Sequence, residues 1–379
     1  MRLLCLLLAA LAARAAEKPF CRGELIFPAE RWHNHGSSIV ELPGAGLFAC
    51  WYHGSGERTA DDVRIEAARR APGRPWQPRF TLADTPGFPD CNPALFVDSR
   101  SRLWLLWPTI MANQWHTALM KYRITSRWRG TGAPPWDFAE NLLFIPRNFA
   151  QRVKEAAARH PWFGSRVERA ADKYFARMGW MTRVHPTELP GGRILVPLYS
   201  DGFDFSIVAI SDDGGLSWTS SEPVLGAGNV QPSIVRRRDG TLVAYMRDNG
   251  PAPKRILVST SRDQGVTWSF AEDTALPNPG AGIEAIALRD GTWALAYNDT
   301  ERGRHSLTLA LSEDEGRTWK YQRRLEYDPA GKNSYHYPSI TQARDGTIHV
   351  SYSYSAPEGQ SIKHAECNVE WIKEGEKRP

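Results

Sequence analysis

The sequence lacks the marks of several common protein classes. Its formal net charge is +5 over 379 residues. Without Arg2 and Arg14 the charge falls from +5 to +3, which is too weakly basic to indicate a nucleic-acid-binding protein. The apolar run at 3–11 is too short to cross a membrane, and neither a glycine-rich phosphate loop nor a Gly-x-Ser-x-Gly motif occurs. We therefore expect no nucleic-acid partner and no membrane span, and nothing in the sequence predicts the oligomeric state.

Metal-ligand patterns are also scarce. His33 and His35 alternate on a possible strand, which would place two imidazoles on one face. No cysteine or aspartate spacing nearby supports a zinc site. We expect neither a metal nor a cofactor.

Cysteine is rare, with five residues in all, and one of them lies in the first 15 residues. Residues 1–15 combine Arg2, the apolar run and a small-residue stretch at 13–15, which indicate a secretion signal with its cleavage site. The sequence thus predicts a secreted or periplasmic protein. The four cysteines that would remain are Cys21, Cys50, Cys91 and Cys367. In an exported protein, disulfide bonds and buried free thiols are both open for them.

One eight-residue pattern occurs three times, at 211–218, 261–268 and 312–319. It reads S-x-D-x-G-x-[ST]-W, and the copies lie about 50 residues apart, the spacing of one propeller blade per repeat. The aspartate can accept hydrogen bonds from a turn backbone, the glycine can take positive φ, and the tryptophan closes the turn with an apolar face. Apolar strands flank each copy. Each repeat therefore predicts a small antiparallel sheet that buries its faces by stacking around an axis.

This pattern resembles the Asp-box, or BNR repeat, of the sialidase superfamily, and its surroundings resemble bacterial sialidase-like proteins over nearly the whole chain. The resemblance implies an all-β, six-bladed β-propeller whose Asp-boxes are structural and lie at the outer rim. We expect residues 16–379 to form this single propeller. Residues 23–27 are expected to pair with the last blade and close the ring, which would bring Cys21 near Cys367.

The segment 147–180 departs from the β pattern. Its apolar residues, Phe149 and Val153 among them, recur at helical spacing with charged residues between them. We expect a helical insertion between blades two and three. Two interpretations stay open: a wall over the central site, or a decoration on the outside of the propeller.

Functional residues of a propeller gather where the inner strands converge, so polar residues near the starts and ends of those strands are the candidates. Several of them precede a proline. The candidates, in blade order, are His35, Glu57, Asp61 and Asp62; Asn92; Arg183 and His185; Gln231 and Arg247; Glu284, Asn298 and Arg304; and Tyr335 and Tyr337.

Resemblance assigns roles to some of these positions. Sialidases hold the substrate carboxylate with three arginines, attack with a tyrosine that a glutamate activates, and use an aspartate of the first blade as acid and base. Arg247 matches the second arginine, Arg304 the third with Arg302 as its alternative, and Tyr337 the nucleophile. The acid/base falls within 57–62, where Glu57, Asp61 and Asp62 all remain open.

Two positions depart from that family pattern. His35 stands where the first arginine is expected, and Gln231 stands where the activating glutamate is expected. A glutamine cannot accept a proton at neutral pH, and a tyrosine is a poor nucleophile without a base. Glu284 is the candidate replacement base.

The remaining residues still favour an anionic sugar. Arg183 with Arg247 and Arg304 would form a cluster that binds a carboxylate. His35, His185 and Tyr337 could act as acid and base near neutral pH. We predict an exo-glycoside hydrolase that releases a terminal acidic sugar, of the sialic or uronic acid type, from a glycan. The alternatives are a lyase acting on uronate-containing glycans and a glycan-binding propeller without catalysis.

Overall fold

The computed structural model describes residues 18–375 of the chain. In that part, 24 strands form six four-stranded sheets whose neighbouring strands run antiparallel. Successive sheets pack on one another around a central axis, and the inner strands of blades four, five, six, one and two contact one another in that order. The predicted six-bladed propeller is therefore confirmed. The predicted secretion signal at 1–15 lies outside the described residues.

Blades one to three follow the chain from an inner strand to an outer one. Blade one consists of β2 (His33–Leu42), β3 (Gly46–Gly54), β4 (Arg64–Arg70) and β5 (Phe80–Ala83). Blade two consists of β6 (Ala94–Val97), β7 (Leu103–Ile110), β8 (Ala118–Thr125) and β9 (Phe138–Asn141). Blade three consists of β10 (Thr187–Glu188), β11 (Ile194–Ser200), β12 (Phe205–Ser211) and β13 (Thr219–Ser220).

Blades four to six continue in the same way, except that the outermost strand of blade six comes from the start of the chain. Blade four consists of β14 (Asn229–Arg236), β15 (Leu242–Asp248), β16 (Arg255–Ser261) and β17 (Glu272–Pro277). Blade five consists of β18 (Glu284–Ala287), β19 (Trp293–Tyr297), β20 (Ser306–Ser312) and β21 (Tyr321–Tyr327). Blade six consists of β22 (Ser334–Gln342), β23 (Ile348–Ala356), β24 (Gly359–Cys367) and β1 (Cys21–Leu25).

Strand β1 closes the ring by pairing with β24, as the sequence predicts for 23–27, although the paired strand begins two residues earlier. Its first residue, Cys21, lies opposite Cys367 and forms a disulfide with it. Cys50 and Cys91 are buried free thiols. One pair of cysteines thus forms a disulfide and the other pair stays as free thiols, so both expected states occur. The pairing supplies the outermost strand of the last blade and covers the edge of β24 that would otherwise be unpaired.

The three Asp-boxes are turns held by their own side chains. In the first copy, Asp213 accepts hydrogen bonds from the Ser217 backbone N–H (3.0 Å) and hydroxyl (2.6 Å), and Gly215 donates its N–H to Ser211 Oγ (2.8 Å). Hydrogen bonds from Ser217 lower the pKa of Asp213 to about 2. A Cβ at Gly215 would lie 2.3 Å from the ring of Trp104 in blade two. This turn therefore needs glycine to pack against the preceding blade.

Short helices follow β9, between blades two and three, as predicted. They are α1 (Phe149–Ala157), α2 (Val167–Ala171) and α3 (Lys173–Arg177), with a 3-10 helix at Pro161–Arg166 between the first two. Another 3-10 helix lies at Trp115–Thr117, and α4 (Val369–Glu374) follows the last strand. None of the helices within residues 18–375 is long and apolar enough to span a bilayer.

The inserted helices pack on the loop that follows β11. Arg166 forms an ion pair with Asp204 (2.9 Å) and donates Nε–H to the Phe203 carbonyl (2.7 Å). The Phe149 ring of α1 stacks edge-on against Phe203, at 5.0 Å between centroids. These contacts join the insertion to the loop between the second and third strands of blade three. A wall over the central site and a decoration on the outside both stay predictions.

Candidate active site

An unusual backbone conformation at the inner strands sets up the site. Asn92, Gln231 and Tyr337 all precede a proline and have φ values of 42°, 56° and 55°. Residues before proline are normally extended, and non-glycine residues rarely take positive φ. At Gln231 and Tyr337 the strand also shifts register against its neighbour. Such bulges redirect side chains, and the dipeptides with proline were the sequence signal for them.

Tyr337 lies at the centre of the site. Its phenolic oxygen accepts hydrogen bonds from Gln231 Nε2 (3.1 Å) and Arg247 Nη1 (2.7 Å). The rings of His35 and Tyr337 lie 4.2 Å apart, and Arg304 Cζ lies 5.6 Å from the Tyr337 ring centroid. We call these five residues the axial site. They come from blades one, four, five and six, so the ring closure brings them together.

Three arginines surround Tyr337, as the sequence predicts, but in two different ways. Arg183 is fully buried against the Tyr337 ring, at 4.9 Å from its centroid, and donates Nη2–H to the Pro338 carbonyl (2.5 Å). Arg247 and Arg304 are half-buried, so their guanidinium groups remain partly open. Arg302, the alternative to Arg304, is exposed. Two arginines, Arg247 and Arg304, are thus partly accessible beside Tyr337, whereas Arg183 is buried against the Tyr337 ring.

The electrostatics of the arginines follow from their burial. Burial lowers the pKa of Arg183 and of Arg304. Burial also disfavours the charge of Arg247, but attraction to Tyr337 and Asp201 is stronger and raises its pKa. Within residues 18–375, Nε and Nη1 of Arg183 and Nε of Arg247 are buried without a hydrogen-bond acceptor. Unpaired buried donors on cations are costly, so an anionic ligand would stabilise them.

Glu284 is not placed to activate Tyr337. Its Oε1 accepts from the backbone N–H of His185 (2.8 Å) and lies 2.8 Å from His185 Nδ1, and its Oε2 accepts from the Ile340 N–H (2.8 Å). Burial alone would raise the pKa of Glu284, but His185 and Arg183 outweigh it and lower the pKa. The carboxylate therefore serves as the counter-charge of a buried pair and makes no hydrogen bond to the phenolic oxygen.

His185 of blade three contacts both blade one and blade five. Its Nε2 lies 3.0 Å from the Ile39 carbonyl oxygen of blade one, while Nδ1 faces Glu284 of blade five. His185 also lines a cavity of about 510 Å³ at the opposite end of the inner strands, together with residues such as Glu41 and Gln342. The pair of His185 and Glu284 thus lies between this cavity and the axial site.

Two histidines pack beside Tyr337. His35 Nδ1 lies 2.8 Å from Ser353 Oγ, and the rings of His35 and His336 are 4.8 Å apart. Burial lowers the pKa of both imidazoles well below the ordinary range, so both are neutral at pH 7. His336 was not among the predicted site residues. The register shift between His336 and Ser339 interrupts the strand alternation. The Tyr337-Pro338 dipeptide marked the place of this shift, but the sequence did not show that the shift brings His336 beside Tyr337.

Three predicted residues have structural contacts instead. Tyr335 belongs to the blade core, and its hydroxyl accepts from Asn333 Nδ2 (3.2 Å). Asn298 Nδ2 donates to the carbonyls of Ser306 (2.5 Å) and Tyr335 (2.7 Å), which joins blades five and six. Asn92 Nδ2 donates to the Tyr199 hydroxyl (3.2 Å). None of these contacts is with Tyr337.

The three candidate carboxylates of the first blade have different surroundings. Glu57 Oε1 accepts from the Tyr52 hydroxyl (2.9 Å) and lies 3.3 Å from His33 Nε2. His33 lowers the pKa of Glu57, with burial opposing. Asp61 and Asp62 are exposed, and Asp62 caps the Ser55 backbone N–H. Of the three, Glu57 contacts Tyr52, whose ring lies 5.4 Å from that of His35.

Asp201 is a further carboxylate near the axial site that the sequence reasoning missed. It follows β11 directly, as Asn298 follows β19, so its offset from the strand was a usable signal. Burial raises its pKa to about 6, while Arg247 opposes the increase. Burial thus raises the pKa of Asp201, whereas His33 lowers the pKa of Glu57.

One group in the described chain has metal-ligand geometry. Donor atoms of His349, His364 and Glu366 lie within 4.8 Å of one another. The carboxylate of Glu366, however, already pairs with Arg22 and with Arg70, the latter at 3.0 Å. Because two guanidinium groups neutralise the carboxylate, this cluster does not suit a cation.

Comparisons with known proteins agree with the fold. The family model described as a BNR repeat-like domain matches residues 45–350. An anhydrosialidase from Macrobdella decora is 28% identical over 183 residues, which cover 42% of this chain and 23% of that protein. A sialidase from Bacteroides fragilis is 26% identical over 157 residues, covering 39% of this chain and 28% of the relative. Each match spans about a quarter of the relative's length.

Solved structures show the same architecture. A protein of unknown function from Dyadobacter fermentans superposes with a TM-score of 0.71 at 16% identity, covering 92% of this chain and 99% of that one. A Hadza microbial sialidase gives a TM-score of 0.68 at 17% identity, covering 92% and 69%. At these identities the likeness establishes the sialidase-like propeller fold and leaves the chemistry to the site itself.

Proposed function

Since the chain belongs to the BNR repeat-like domain family, we propose that it is a glycosidase that releases a terminal carboxylate-bearing sugar of the sialic acid type from a glycan. One observation carries the proposal. Two half-buried arginines, Arg247 and Arg304, flank Tyr337 over a third, fully buried one. Guanidinium groups match a carboxylate bidentately, as lysines would not.

The sugar carboxylate would bind to Arg247 and Arg304. Arg247 is the better-supported partner, because its Nε is buried with no acceptor among the described residues. An arriving carboxylate would satisfy this donor and neutralise the local positive charge. With the carboxylate held there, the anomeric carbon would lie beside the Tyr337 oxygen, which Arg247 already contacts at 2.7 Å.

Tyr337 would act as the nucleophile without a carboxylate base. Gln231 donates to its oxygen rather than accepting from it. Negative charge on that oxygen would instead be stabilised by the guanidinium groups of Arg183, Arg247 and Arg304, with the phenolic proton released to solvent. The tyrosyl oxygen would then form a bond to the anomeric carbon as the glycosidic bond breaks, and water would later release the sugar.

A second candidate function is glycan binding without catalysis. Gln231 favours it, because the residue that contacts the phenolic oxygen cannot take a proton. In that case the arginines and Tyr337 would hold the acidic sugar, and no bond would break.

The test compares Tyr337→Phe with Tyr335→Phe and the unchanged chain on a sialyl glycoside. Tyr337→Phe should lower turnover about 1000-fold or more, as loss of a nucleophile does, while ligand affinity stays within a few-fold. Tyr335→Phe is the matched control, since its hydroxyl bonds to Asn333 in the blade core. Binding with no turnover by the unchanged chain would favour the second candidate. An unsaturated product from a uronate-containing glycan would move the chemistry to a lyase.

A further inference from the structure

Cleavage of a glycoside of an ordinary alcohol needs a proton donor for the departing oxygen, and the first-blade carboxyl groups are poorly suited to supply it. Asp61 and Asp62 are exposed, and within residues 18–375 no hydrogen bond or ion pair joins either of them to the axial site. Glu57 accepts the Tyr52 hydroxyl and lies beside His33, and these contacts favour its carboxylate form. A group that is ionised at neutral pH cannot donate a proton.

A row of rings leads from Tyr337 towards solvent. The His35 ring lies 4.2 Å from the Tyr337 ring, and the His33 ring lies 5.6 Å from the His35 ring, between centroids. Tyr52 packs beside both imidazoles, at 5.4 Å from His35 and 5.5 Å from His33. Tyr337 and His35 are buried, whereas 24% of the His33 side chain is exposed. His33 therefore lies on the side from which the departing part of a ligand at Tyr337 would leave.

Glu57 positions the imidazole of His33. Its Oε1 lies 3.3 Å from His33 Nε2, a contact that becomes an ion pair when the imidazole is protonated. Nε2 is enclosed by the protein, and its alignment with Oε1 falls short of a hydrogen bond. Nδ1 makes no hydrogen bond with the described residues and is not enclosed, so it is the ring atom that a ligand can reach. An imidazole with a carboxylate behind it is a recurring arrangement for acid and base catalysis.

The other two imidazoles near Tyr337 lack this arrangement. His35 has its Nδ1 at 2.8 Å from Ser353 Oγ, and in the described part of the chain no ion pair joins His35 or His336 to a carboxylate. Burial lowers the pKa of both well below the ordinary range, so neither carries an acidic proton at pH 7. Of the three histidines, His33 alone combines an open ring nitrogen with a counter-charge.

We propose that His33 is the catalytic acid that protonates the leaving-group oxygen, and that Glu57 is the residue that positions it. This inference rests on the proposed glycosidase function. The glycosidic C–O bond breaks with its electron pair on the leaving oxygen, and the proton of His33 Nδ1 forms the new O–H bond. The neutral imidazole then takes a proton from the water whose oxygen bonds to the anomeric carbon. The bond from that carbon to the Tyr337 oxygen breaks with its electron pair on the oxygen, which restores the starting state.

The experiment measures His33→Gln on two substrates with the same acidic sugar. Sialyllactose has a sugar hydroxyl as leaving group and needs protonation, whereas a 4-methylumbelliferyl sialoside has a good leaving group and does not. The kcat/KM for sialyllactose should fall about 100-fold or more, and that for the activated substrate less than about 10-fold. His160→Gln is the matched control, because that ring stacks on Phe270 beside the inserted helices, and both substrates should stay within about threefold.

Glu57→Gln tests the positioning role. The variant keeps His33 and an acceptor for the Tyr52 hydroxyl but removes the counter-charge of the imidazole. The kcat/KM for sialyllactose should fall by at least about 10-fold, and by more than that for the activated substrate. A merely structural role would lower both equally.

Other outcomes would overturn the assignment. Equal losses on both substrates in His33→Gln would exclude it as the proton donor, and a selective loss of sialyllactose cleavage in Asp61→Asn or Asp62→Asn would move that role to the exposed loop. If His33→Gln fails to fold, equal losses in Glu57→Gln would refute the proposal. An unchanged chain that cleaves only the activated substrate would keep the glycosidase function and refute the acid. One that cleaves neither would overturn the proposed function itself, and this inference with it.

Discussion

Replacing Glu284 by glutamine tests whether the buried pair beneath Tyr337 holds the propeller together. The carboxylate accepts three hydrogen bonds, two from His185 and one from the Ile340 N–H, each at 2.8 Å. Glutamine has nearly the same shape but turns one acceptor into an NH₂ donor. Whichever way the amide lies, its NH₂ faces a backbone N–H, either that of His185 or that of Ile340.

The expected cost follows from these contacts. A buried backbone N–H that loses its acceptor costs about 1–3 kcal/mol. The substitution also removes the negative charge that His185 and the buried Arg183 face, and breaking a buried pair in this way typically costs about 3–5 kcal/mol. We therefore expect Glu284→Gln to lower the free energy of unfolding by about 3 kcal/mol or more at pH 7.

Urea unfolding followed by tryptophan fluorescence measures this free energy. Glu188→Gln is the control, because that carboxylate bonds to Ser99 at the surface and its loss should cost under about 1 kcal/mol. His185 and Arg183 outweigh burial and lower the pKa of Glu284, so its stabilisation is present above pH 4.5 and is lost as pH falls through the folded-state pKa. The difference in the free energy of unfolding between the unchanged protein and Glu284→Gln should therefore become smaller as pH falls through that pKa. A difference below about 0.5 kcal/mol at pH 7 would refute the reasoning.

Two further predictions concern stability. Burial lowers the pKa of His349 from 6.5 to about 4, so unfolding should become easier by about 3 kcal/mol as pH falls from 6.5 to 4, and urea midpoints of His349→Gln should depend less on pH in that range. Equal slopes would contradict the prediction. Gly215→Ala should cost at least about 2 kcal/mol more in thermal unfolding than Gly44→Ala: both glycines have positive φ, but a Cβ would collide with Trp104 only at Gly215. Similar losses in both variants would show that backbone strain, rather than the Trp104 contact, explains the glycine.

The fold could be predicted from the sequence because its signals are local. The Asp-box bonds, such as those from Ser217 to Asp213, join residues at most four positions apart. The helical spacing of Phe149 and Val153 likewise acts within one element. Repeated three times, such signals determined the blade, and the blade determined the ring, because a small sheet has two apolar faces to cover. Ring closure places Cys21 opposite Cys367, where the two form a disulfide that the sequence had left open.

The sequence also predicted Tyr337, Arg183, Arg247 and Arg304 as site residues. Arg183 was a candidate from its place near an inner strand, and the roles of the other three came from the resemblance to sialidases. Only the tertiary structure decided what each contacts. The bulge at Tyr337 places His336, rather than the predicted Tyr335, beside the axial site. His185 and Glu284 are 99 positions apart in the sequence, so their pairing, which engages the Glu284 carboxylate, could not be predicted from it. The burial of Asp201 and the charge of Arg247, which act on its pKa in opposite directions, likewise became known only from the tertiary structure. The hydrogen bonds of a turn join residues a few positions apart, so the sequence shows them directly. The protonation state and the hydrogen-bond partners of a site residue depend on groups that the closed ring brings together from distant blades.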